Sequence, residues 1–274
     1  MKPLKFKSPY LVKPHSRVRL GHLPTEISGG PGFQKTEAAS LPVLVKYRAN
    51  LAELQEVFYA GQQHALLIIL QGMDTAGKDG TIRHIFSGIN PQGCDVTAFK
   101  VPTPLEARHD FLWRAHAAVP ARGMIGIFNR SHYEDVLSPV VHNVISHELA
   151  RSRFGDINEF ESSLADSGVV ILKFFLHISH DEQTRRLQAR IDDPKRHWKL
   201  SPADFAERKF WPQYQDAYNE LLSATSRKHA PWFVIPANSK WQRDLAISQI
   251  LLDALHRLKL KYPAPNMPPA EMKL

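Results

Sequence analysis

Short apolar runs recur along the chain from residue 64 onward, and segments with helical spacing separate them. Continuous apolar runs of this length are typical of strands that are buried on both faces of a sheet. The predicted strands are residues 64–71, 94–100, 124–130, 169–178 and 232–238. The alternation predicts an α/β fold with a central parallel sheet covered by helices on both faces.

Helical spacing of apolar residues predicts the connections between these strands. Residues 41–63 carry apolar side chains at such spacing and are predicted to form a helix that leads into the first strand. The other predicted helices are residues 78–88, 105–118, 158–167, 180–191, 203–224 and 240–258. Because ligands of such sheets bind at the carboxyl ends of the strands, we expect the functional residues in the loops that follow them.

Composition shifts divide the chain into three predicted parts. Residues 1–40 are rich in proline, glycine and basic residues and are predicted to be an arm that wraps the core or is partly disordered. Residues 41–262 are the predicted domain, in which a basic segment at about 191–209 with two prolines and Trp198 is the predicted lid. Residues 263–274 are proline-rich and are predicted to form an irregular tail.

Charge narrows the class of partner. Lys and Arg number 35 against 27 Asp and Glu, and the formal net charge of +8 favours nucleic acid, a membrane surface or a phosphorylated metabolite. Cys94 is the one cysteine, which excludes an internal disulfide framework and suits a reducing compartment. Because no apolar run has the length of a membrane span and the N-terminal stretch lacks a secretion signal, we expect a cytoplasmic protein without a membrane partner.

The segment GMDTAGKDG, residues 72–80, follows the first predicted strand. Gly72, four further residues, Gly77 and Lys78 match a phosphate-binding loop, in which backbone N–H groups, the following helix and the lysine attract phosphate. The alternative is a tight structural turn. The predicted phosphate contacts are Ala76, Gly77, Lys78, Asp79, Gly80 and Arg83.

Asp79 follows Lys78, where common nucleotide triphosphatases carry the serine or threonine that helps to hold Mg²⁺. Another ligand is therefore required, and Asp74 and Asp79 are the candidates. A carboxylate in this loop would repel phosphate unless a cation lies between them, which favours Asp74 as a metal ligand. Asp79 could instead be an acidic residue that suits the first turn of the helix.

The segment FNRSHYEDV, residues 128–136, follows the third predicted strand. Arg130 could clamp phosphate groups with two hydrogen bonds. Glu134 and Asp135 could bind metal or orient a nucleophile, or they could be acids at the start of a helix. The predicted nucleotide-binding residues are Asp74, Asn129, Arg130, Ser131 and Glu134.

A third cluster, DEQTRRLQARIDDPKRHWK, spans residues 181–199. Arg186 and Arg190 lie four apart on a predicted helix and therefore share one side of it. Together with Lys195, Lys199 and Arg208 they form either a solvated basic surface or a cationic clamp on a polyphosphorylated substrate. The fourteen histidines show no zinc-binding spacing, so no metal is assigned to them.

These three motifs, in this order over about residues 40–260, resemble the polyphosphate kinase 2 family and its class III members in particular. The resemblance implies a phosphate-loop (P-loop) kinase-like three-layer sandwich with a helical lid, and dependence on Mg²⁺, with Mn²⁺ as a substitute. It also implies reversible transfer of the terminal phosphoryl group of inorganic polyphosphate to AMP or ADP, which forms ADP and ATP. A homo-oligomer, dimer or tetramer, is implied as well.

The resemblance also implies roles for individual residues. Asp74 would bind metal and orient the accepting phosphate, and Lys78 and Arg130 would stabilise the transferred group. Arg186, Arg190 and the basic residues of the lid would hold polyphosphate. Other subclasses carry aspartate where Asn129 stands and asparagine where Glu134 stands, so Glu134 is the preferred second metal ligand.

Other functions compete with this one. An ATP-dependent kinase of a small metabolite would use the same loop, and a regulatory nucleotide-binding protein would use it without turnover. A nucleic-acid-binding module is suggested only by the basic charge, because the chain lacks a stacking platform of interleaved aromatic and basic residues. We therefore expect no nucleic-acid partner.

Overall fold

Five parallel strands form one sheet in the computed structural model, which describes residues 3–29, 36–265 and 267. The strands are β1 (Ala65–Gln71), β2 (Cys94–Ala98), β3 (Ile125–Asn129), β4 (Val169–His177) and β5 (Trp232–Pro236). Their order across the sheet is β2-β3-β1-β4-β5. All five predicted strands are confirmed. Strands β1, β3, β4 and β5 are buried between two layers of helices, whereas β2, at the edge of the sheet, is half-buried or exposed.

Strand β1 lies at the centre, and its register sets the position of the loops that follow. Leu70 pairs with Asn129 of β3, and Gln71 pairs with Phe175 of β4. Since the strands are parallel, the loops after β1, β3 and β4 leave the sheet at the same edge. The residues of the first two predicted motifs therefore meet there.

Nine α-helices lie within the described residues. They are α1 (Glu37–Gly61), α2 (Lys78–Ile85), α3 (Trp113–Ala118), α4 (Glu134–Val141), α5 (His147–Asp166), α6 (His180–Ile191), α7 (Pro202–Arg208), α8 (Trp211–Thr225) and α9 (Lys240–Arg257). Leu67 and Ile69 of β1 pack into the core shared with α4, α5 and α8, whereas Leu66, Ile68 and Leu70 pack into the core shared with α1 and α9. Helices cover both faces, so the predicted three-layer α/β fold is confirmed.

Several helix boundaries differ from the predicted ones. The segment 105–118 contains a 3-10 turn, Glu106–Arg108, before the short helix α3. The segment 203–224 breaks into α7 and α8, because Pro212 has no N–H to continue a helix and lies in the first turn of α8. Helix α5 begins at His147 and not at residue 158, and α4 was not among the predicted helices.

Helix α4 contains Pro139, which accounts for its absence from the predicted helices. Pro139 cannot donate a hydrogen bond to the carbonyl of Asp135, four residues earlier. Arg153 of α5 supplies the missing donor, with Nη1 2.7 Å from that carbonyl oxygen. A residue distant in sequence therefore satisfies the backbone group that the proline leaves without a partner.

The described part of the predicted arm, residues 3–29, packs against the domain. Val12 N–H donates to the Trp232 carbonyl at 2.9 Å, and Val234 N–H donates to the Tyr10 carbonyl at 2.9 Å, so this segment runs antiparallel beside β5. Leu20 is fully buried. Residues 37–40 of the predicted arm belong to α1. The division at residues 40 and 262 stays a prediction, and most of the predicted tail lies outside the described residues.

The predicted lid segment contains a 3-10 helix, Pro194–Lys199, followed by α7. Most of its side chains are exposed. Among the helices that the structure describes, none has the length and apolar character needed to cross a lipid bilayer.

Candidate active site

The loop between β1 and α2, residues 72–79 and hereafter the phosphate loop, has the backbone of a tight anion-binding turn. Gly77 precedes α2 with a φ of 106°, in the left-handed region that favours glycine. A Cβ at Gly72 would lie 2.8 Å from the Leu176 carbonyl oxygen, so the close approach to β4 requires glycine there. The first N–H groups of α2 lack helical partners and are available to an anion.

Lys78 folds back over this loop. Its Nζ donates to the carbonyls of Gly72 at 2.7 Å and Met73 at 3.3 Å, and the side chain is buried. Burial and the nearby Arg130 lower the pKa of Lys78 to about 8, although the carboxylates around it oppose this shift. The ammonium group is therefore poised to gain stability when an anion binds beside it.

Arg130 joins the two carboxylates that the sequence proposed as metal ligands. Its Nη2 lies 2.6 Å from Asp74 Oδ1, and its Nη1 lies 3.2 Å from Glu134 Oε2. Burial acts to lower the pKa of Arg130, but Glu134 and Asp74 outweigh it and raise the pKa above its ordinary value. The guanidinium group is thus permanently charged at the mouth of the phosphate loop.

Asn129 and Asp79 face each other across the ends of β3 and α2. Asn129 Nδ2 donates to Asp79 Oδ1 at 2.7 Å. Asp79 lies in the first turn of α2, where the helix dipole favours a carboxylate. The neighbouring predicted contact Arg83 is exposed on α2, with Nη2 3.3 Å from Nε2 of His84.

Gln71 is a site residue that sequence reasoning missed. When its amide nitrogen donates to Glu134 Oε1 at 3.0 Å, its oxygen accepts from Ser131 Oγ at 3.1 Å. This buried amide therefore orients both Glu134 and Ser131. A polar residue that ends an apolar strand directly before the phosphate loop was the signal for it.

Asp135 does not share the Arg130 guanidinium group with Asp74 and Glu134. It accepts hydrogen bonds from Arg114 Nε at 3.1 Å and Nη2 at 2.9 Å, and Arg114 also donates to the Lys100 carbonyl. Burial raises the pKa of Asp135 despite this partner. Asp135 therefore ties α4 to the region after β2, and both acids lie in the first turn of α4 as the alternative interpretation held.

A buried charged network supports the segment after β3. Lys173, in the middle of β4, has its Nζ 2.5 Å from Glu161 Oε2, 2.9 Å from the Tyr133 hydroxyl and 2.8 Å from the Thr225 carbonyl. Tyr133 directly precedes Glu134 and is fully buried. The sequence signal was a lysine inside an otherwise apolar strand, and its partners could not be identified from the chain alone.

The basic residues of α6 and the predicted lid differ in exposure. Arg190 Nη1 is 3.9 Å from Asp204 Oδ2, and Lys195 and Lys199 are exposed. Arg208 donates to Gln183 Oε1 at 2.7 Å, and Gln183 in turn donates to the Asp74 carbonyl at 3.1 Å. Arg186 is mostly buried and donates to the backbone of the phosphate loop.

The acidic residues fit a metal that is shared with a phosphorylated substrate. The structure shows no group of three or more potential protein ligands among the residues it describes. Mg²⁺ in kinases is bound by one or two carboxylates together with substrate phosphates and water. Asp74 and Glu134 supply two half-buried carboxylates within reach of one guanidinium, which suits that arrangement.

Comparison with known proteins identifies similar chains over almost the whole length. The family model described as polyphosphate kinase 2 matches residues 35–263. An AMP/ADP-polyphosphate phosphotransferase from Meiothermus ruber is 46% identical over 257 residues, which cover 94% of this chain and 96% of the relative. An ADP-polyphosphate phosphotransferase from Rhodopseudomonas palustris is 43% identical, with 90% of this chain and 89% of the relative covered.

A solved structure shows the same architecture. The crystal structure of polyphosphate kinase 2 from Arthrobacter aurescens TC1 superposes with a TM-score of 0.91 at 45% identity. The match covers 98% of this chain and 97% of that one. The strand order, the phosphate loop and the predicted lid segment therefore lie within a fold shared over nearly the entire chain.

Proposed function

Because this chain belongs to the polyphosphate kinase 2 family, we propose that it transfers the terminal phosphoryl group of inorganic polyphosphate to AMP and to ADP, which forms ADP and ATP. The observation that carries the proposal is Arg130, held between Asp74 and Glu134 beside the phosphate loop and Lys78. The name of the Meiothermus ruber relative includes both acceptors, which supports the choice of AMP as well as ADP.

The site supplies positioning and charge stabilisation, which are what phosphoryl transfer requires. Backbone N–H groups of the phosphate loop and Lys78 would bind the phosphates, and Arg130 would stabilise charge on the transferred group. An acceptor phosphate oxygen is already anionic, so no residue needs to remove a proton from it. Since one phosphoanhydride is broken while another forms, the reaction should run in both directions.

Asp74 and Glu134 would hold Mg²⁺, or Mn²⁺ in its place. When bound, the ion would neutralise charge on the phosphates and reduce their repulsion by these carboxylates. Gln71 would keep Glu134 oriented through its hydrogen bond to Oε1. Asn129 borders the same space and would face the nucleotide, whereas Ser131 is fully buried and would hold the Gln71 amide in place.

Basic residues on α6 and in the predicted lid, two of them exposed and two partly buried, would guide the polyphosphate chain. They are Arg190, Lys195, Lys199 and Arg208. Their charges would attract a polyanion whose length exceeds the space at the phosphate loop. We also propose a homo-oligomer, dimer or tetramer, in the cytoplasm, where the single Cys94 would stay reduced.

The test is nucleotide production from polyphosphate and Mg²⁺ without ATP, with AMP or ADP supplied separately and the products resolved by anion-exchange chromatography. ADP and ATP formed from AMP would support the full proposal. Product from ADP alone would remove AMP as an acceptor. Transfer from ATP to a metabolite without any use of polyphosphate would favour the ATP-dependent kinase, and salt-sensitive nucleic-acid binding without transfer would favour a binding module.

A further inference from the structure

We propose that Arg186 is a positioning residue that holds the phosphate loop in its working shape, and that it does not bind polyphosphate. The inference rests on the proposed phosphotransfer and refines it. It replaces the role in polyphosphate binding that the sequence resemblance implied for this residue. Arg190, one turn further along the same helix, is the arginine that remains available to the substrate.

All the N–H donors of the Arg186 guanidinium group form hydrogen bonds with other groups of the protein. Its Nε donates to Glu182 Oε1 at 2.5 Å, and only 10% of its side chain is exposed. Its two terminal nitrogens donate to the carbonyls of Thr75 (2.9 Å), Ala76 (2.8 Å), Ala237 (2.6 Å) and Asn238 (3.0 Å). Since a guanidinium has five N–H donors, these five contacts leave none for a phosphate.

These contacts tie together loops from separated parts of the sheet. Thr75 and Ala76 belong to the phosphate loop after β1, whereas Ala237 and Asn238 follow β5. Strand β4 separates β1 from β5, and Arg186 itself lies on α6, which follows β4. One side chain therefore links the carboxyl ends of three adjacent strands at the edge where the site lies.

The link fixes the direction of backbone N–H groups. In a trans peptide, the carbonyl of one residue and the N–H of the next point in opposite directions. With the Ala76 carbonyl held by Arg186, the N–H of Gly77 points away from the guanidinium and toward the open side of the loop. The Ala76 N–H is already used by the Met73 carbonyl at 3.0 Å, so Gly77 and the first turn of α2 supply the free donors.

Burial makes the arrangement costly to lose. Thr75 and Ala76 are buried, and a buried carbonyl without a hydrogen-bond partner destabilises the folded protein. Without Arg186, the loop would turn these carbonyls toward water or toward the phosphate site, and the N–H groups of Gly77 and α2 would lose their alignment on the transferred phosphoryl group. The loss should therefore act on the transfer step more than on affinity for the polyphosphate chain.

Arg190 offers a matched contrast on the same helix. It is 24% exposed, and Asp204 of α7 lies 3.9 Å from its Nη1. Arg185 gives a second control, because it is 74% exposed and also pairs with Glu182. Variants of the three arginines can therefore distinguish anchoring of the loop by Arg186, attraction of the substrate by Arg190 and the surface charge of Arg185.

The experiment compares R186A, R186K, R190A and R185A with the wild type. It measures kcat and the KM for polyphosphate at several salt concentrations, the melting temperature, and deuterium uptake by peptides that cover residues 72–80. We expect R186A to lower kcat by about 10²-fold, with KM for polyphosphate within about three-fold and faster uptake in the loop. R186K should not restore kcat, because a single ammonium group lacks the planar fork that reaches both pairs of carbonyls.

The controls should behave differently. R190A should raise KM by about ten-fold and weaken the salt dependence of kcat/KM, with unchanged uptake in the loop. R185A should stay within about two-fold of the wild type in all constants. Higher KM with retained kcat and unchanged uptake in R186A would overturn the inference.

Failure of the proposed function would look different from failure of this inference. A wild type that does not consume polyphosphate would refute the function, while deuterium uptake would still report whether Arg186 anchors the loop. If R186A does not fold, R186K decides the matter. Wild-type uptake in R186K together with wild-type kcat would show that the five-contact anchor is dispensable.

Discussion

Lys78 links the structure of the phosphate loop to the pH dependence of the reaction. Its pKa in the ligand-free protein is about 8, lowered by burial, so the ammonium group loses its proton as the pH rises through that value. We expect kcat/KM for polyphosphate to fall above about pH 8, because this constant reports the free enzyme. Bound phosphate favours the charged lysine, so kcat should hold to higher pH.

The measurement is a pH profile of both constants with polyphosphate and AMP. K78A should fold but lose at least about 10³-fold in kcat/KM, and its kcat/KM should show no decrease as the pH rises through 8. A profile in which wild-type kcat/KM stays level to pH 10 would contradict the role given to Lys78.

Asp74 and Glu134 should differ from their neighbour Asp135 in metal dependence. We expect D74N to abolish transfer, and E134Q to raise the Mg²⁺ concentration for half-maximal rate by about ten-fold, because each removes a carboxylate ligand. D135N should leave the Mg²⁺ requirement unchanged and lower the melting temperature, since Asp135 pairs with the buried Arg114. Equal Mg²⁺ titrations for E134Q and the wild type would argue against the proposed ligand pair.

Among single residues, the sequence motifs predicted those that lie within a motif. They missed residues whose role depends on contacts that the fold makes between distant parts of the chain. Lys78 and Arg130 follow glycine-rich or strand-end signals. Gln71 is one polar residue among many, and its role depends on neighbours that the fold brings to it. The spacing of Arg186 and Arg190 gave their shared side of a helix, but not which of them is covered by the phosphate loop.

Among the elements, helix α4 depends on a contact between helices. The Asp135 carbonyl has no helical hydrogen-bond partner, because Pro139 lacks an N–H, and it accepts a hydrogen bond from Arg153 instead. We expect R153M to lower the free energy of unfolding by about 1–3 kcal/mol, because it leaves this carbonyl unpaired. Adding P139A should recover part of the loss, since alanine at this position supplies the missing N–H.

The measurement is a double-mutant cycle in urea. The recovery should appear only when Met replaces Arg153, and P139A alone should change stability less. If P139A gives the same change with Arg153 present and absent, the two residues are independent and this explanation of α4 is wrong.

The strands were predictable and several helices were not, for a physical reason. A strand buried on both faces requires a continuous apolar run, which is visible in sequence. Helix α4 depends on the contact of Arg153 with the Asp135 carbonyl, which local spacing does not contain. Pro212 did mark the break between α7 and α8, but the run of helical spacing around it concealed the signal.

For the whole molecule, the N-terminal segment completes the edge of the sheet. Val12 and Leu20 are buried, and Phe6 packs edge-on against Phe233 of β5 with ring centroids 5.3 Å apart. Burial of each aliphatic side chain contributes about 1.5–3 kcal/mol. The course of the N-terminal segment along β5 could not be predicted, because this segment has no periodic pattern of apolar residues and its conformation depends on contacts with distant residues.

We expect deletion of residues 1–20 to lower the melting temperature by about 10 °C or more, since each kcal/mol corresponds to about 2–4 °C in a domain of this size. The exposed edge of β5 should also promote aggregation. L20A is the matched control and should show a smaller decrease. An unchanged melting temperature in the deletion variant would mean that the segment adds no stability.

The central claim is that phosphoryl groups pass from polyphosphate to a nucleotide at the phosphate loop. The most direct test is ³¹P NMR of polyphosphate, AMP and Mg²⁺ with no ATP, recorded with the wild type and with K78A at a temperature well below the melting temperature of either protein. We predict that the wild type shortens polyphosphate as the β-phosphate signal of ADP grows, while K78A leaves both unchanged. Absence of nucleotide product with the wild type, or equal production with K78A, would contradict the account.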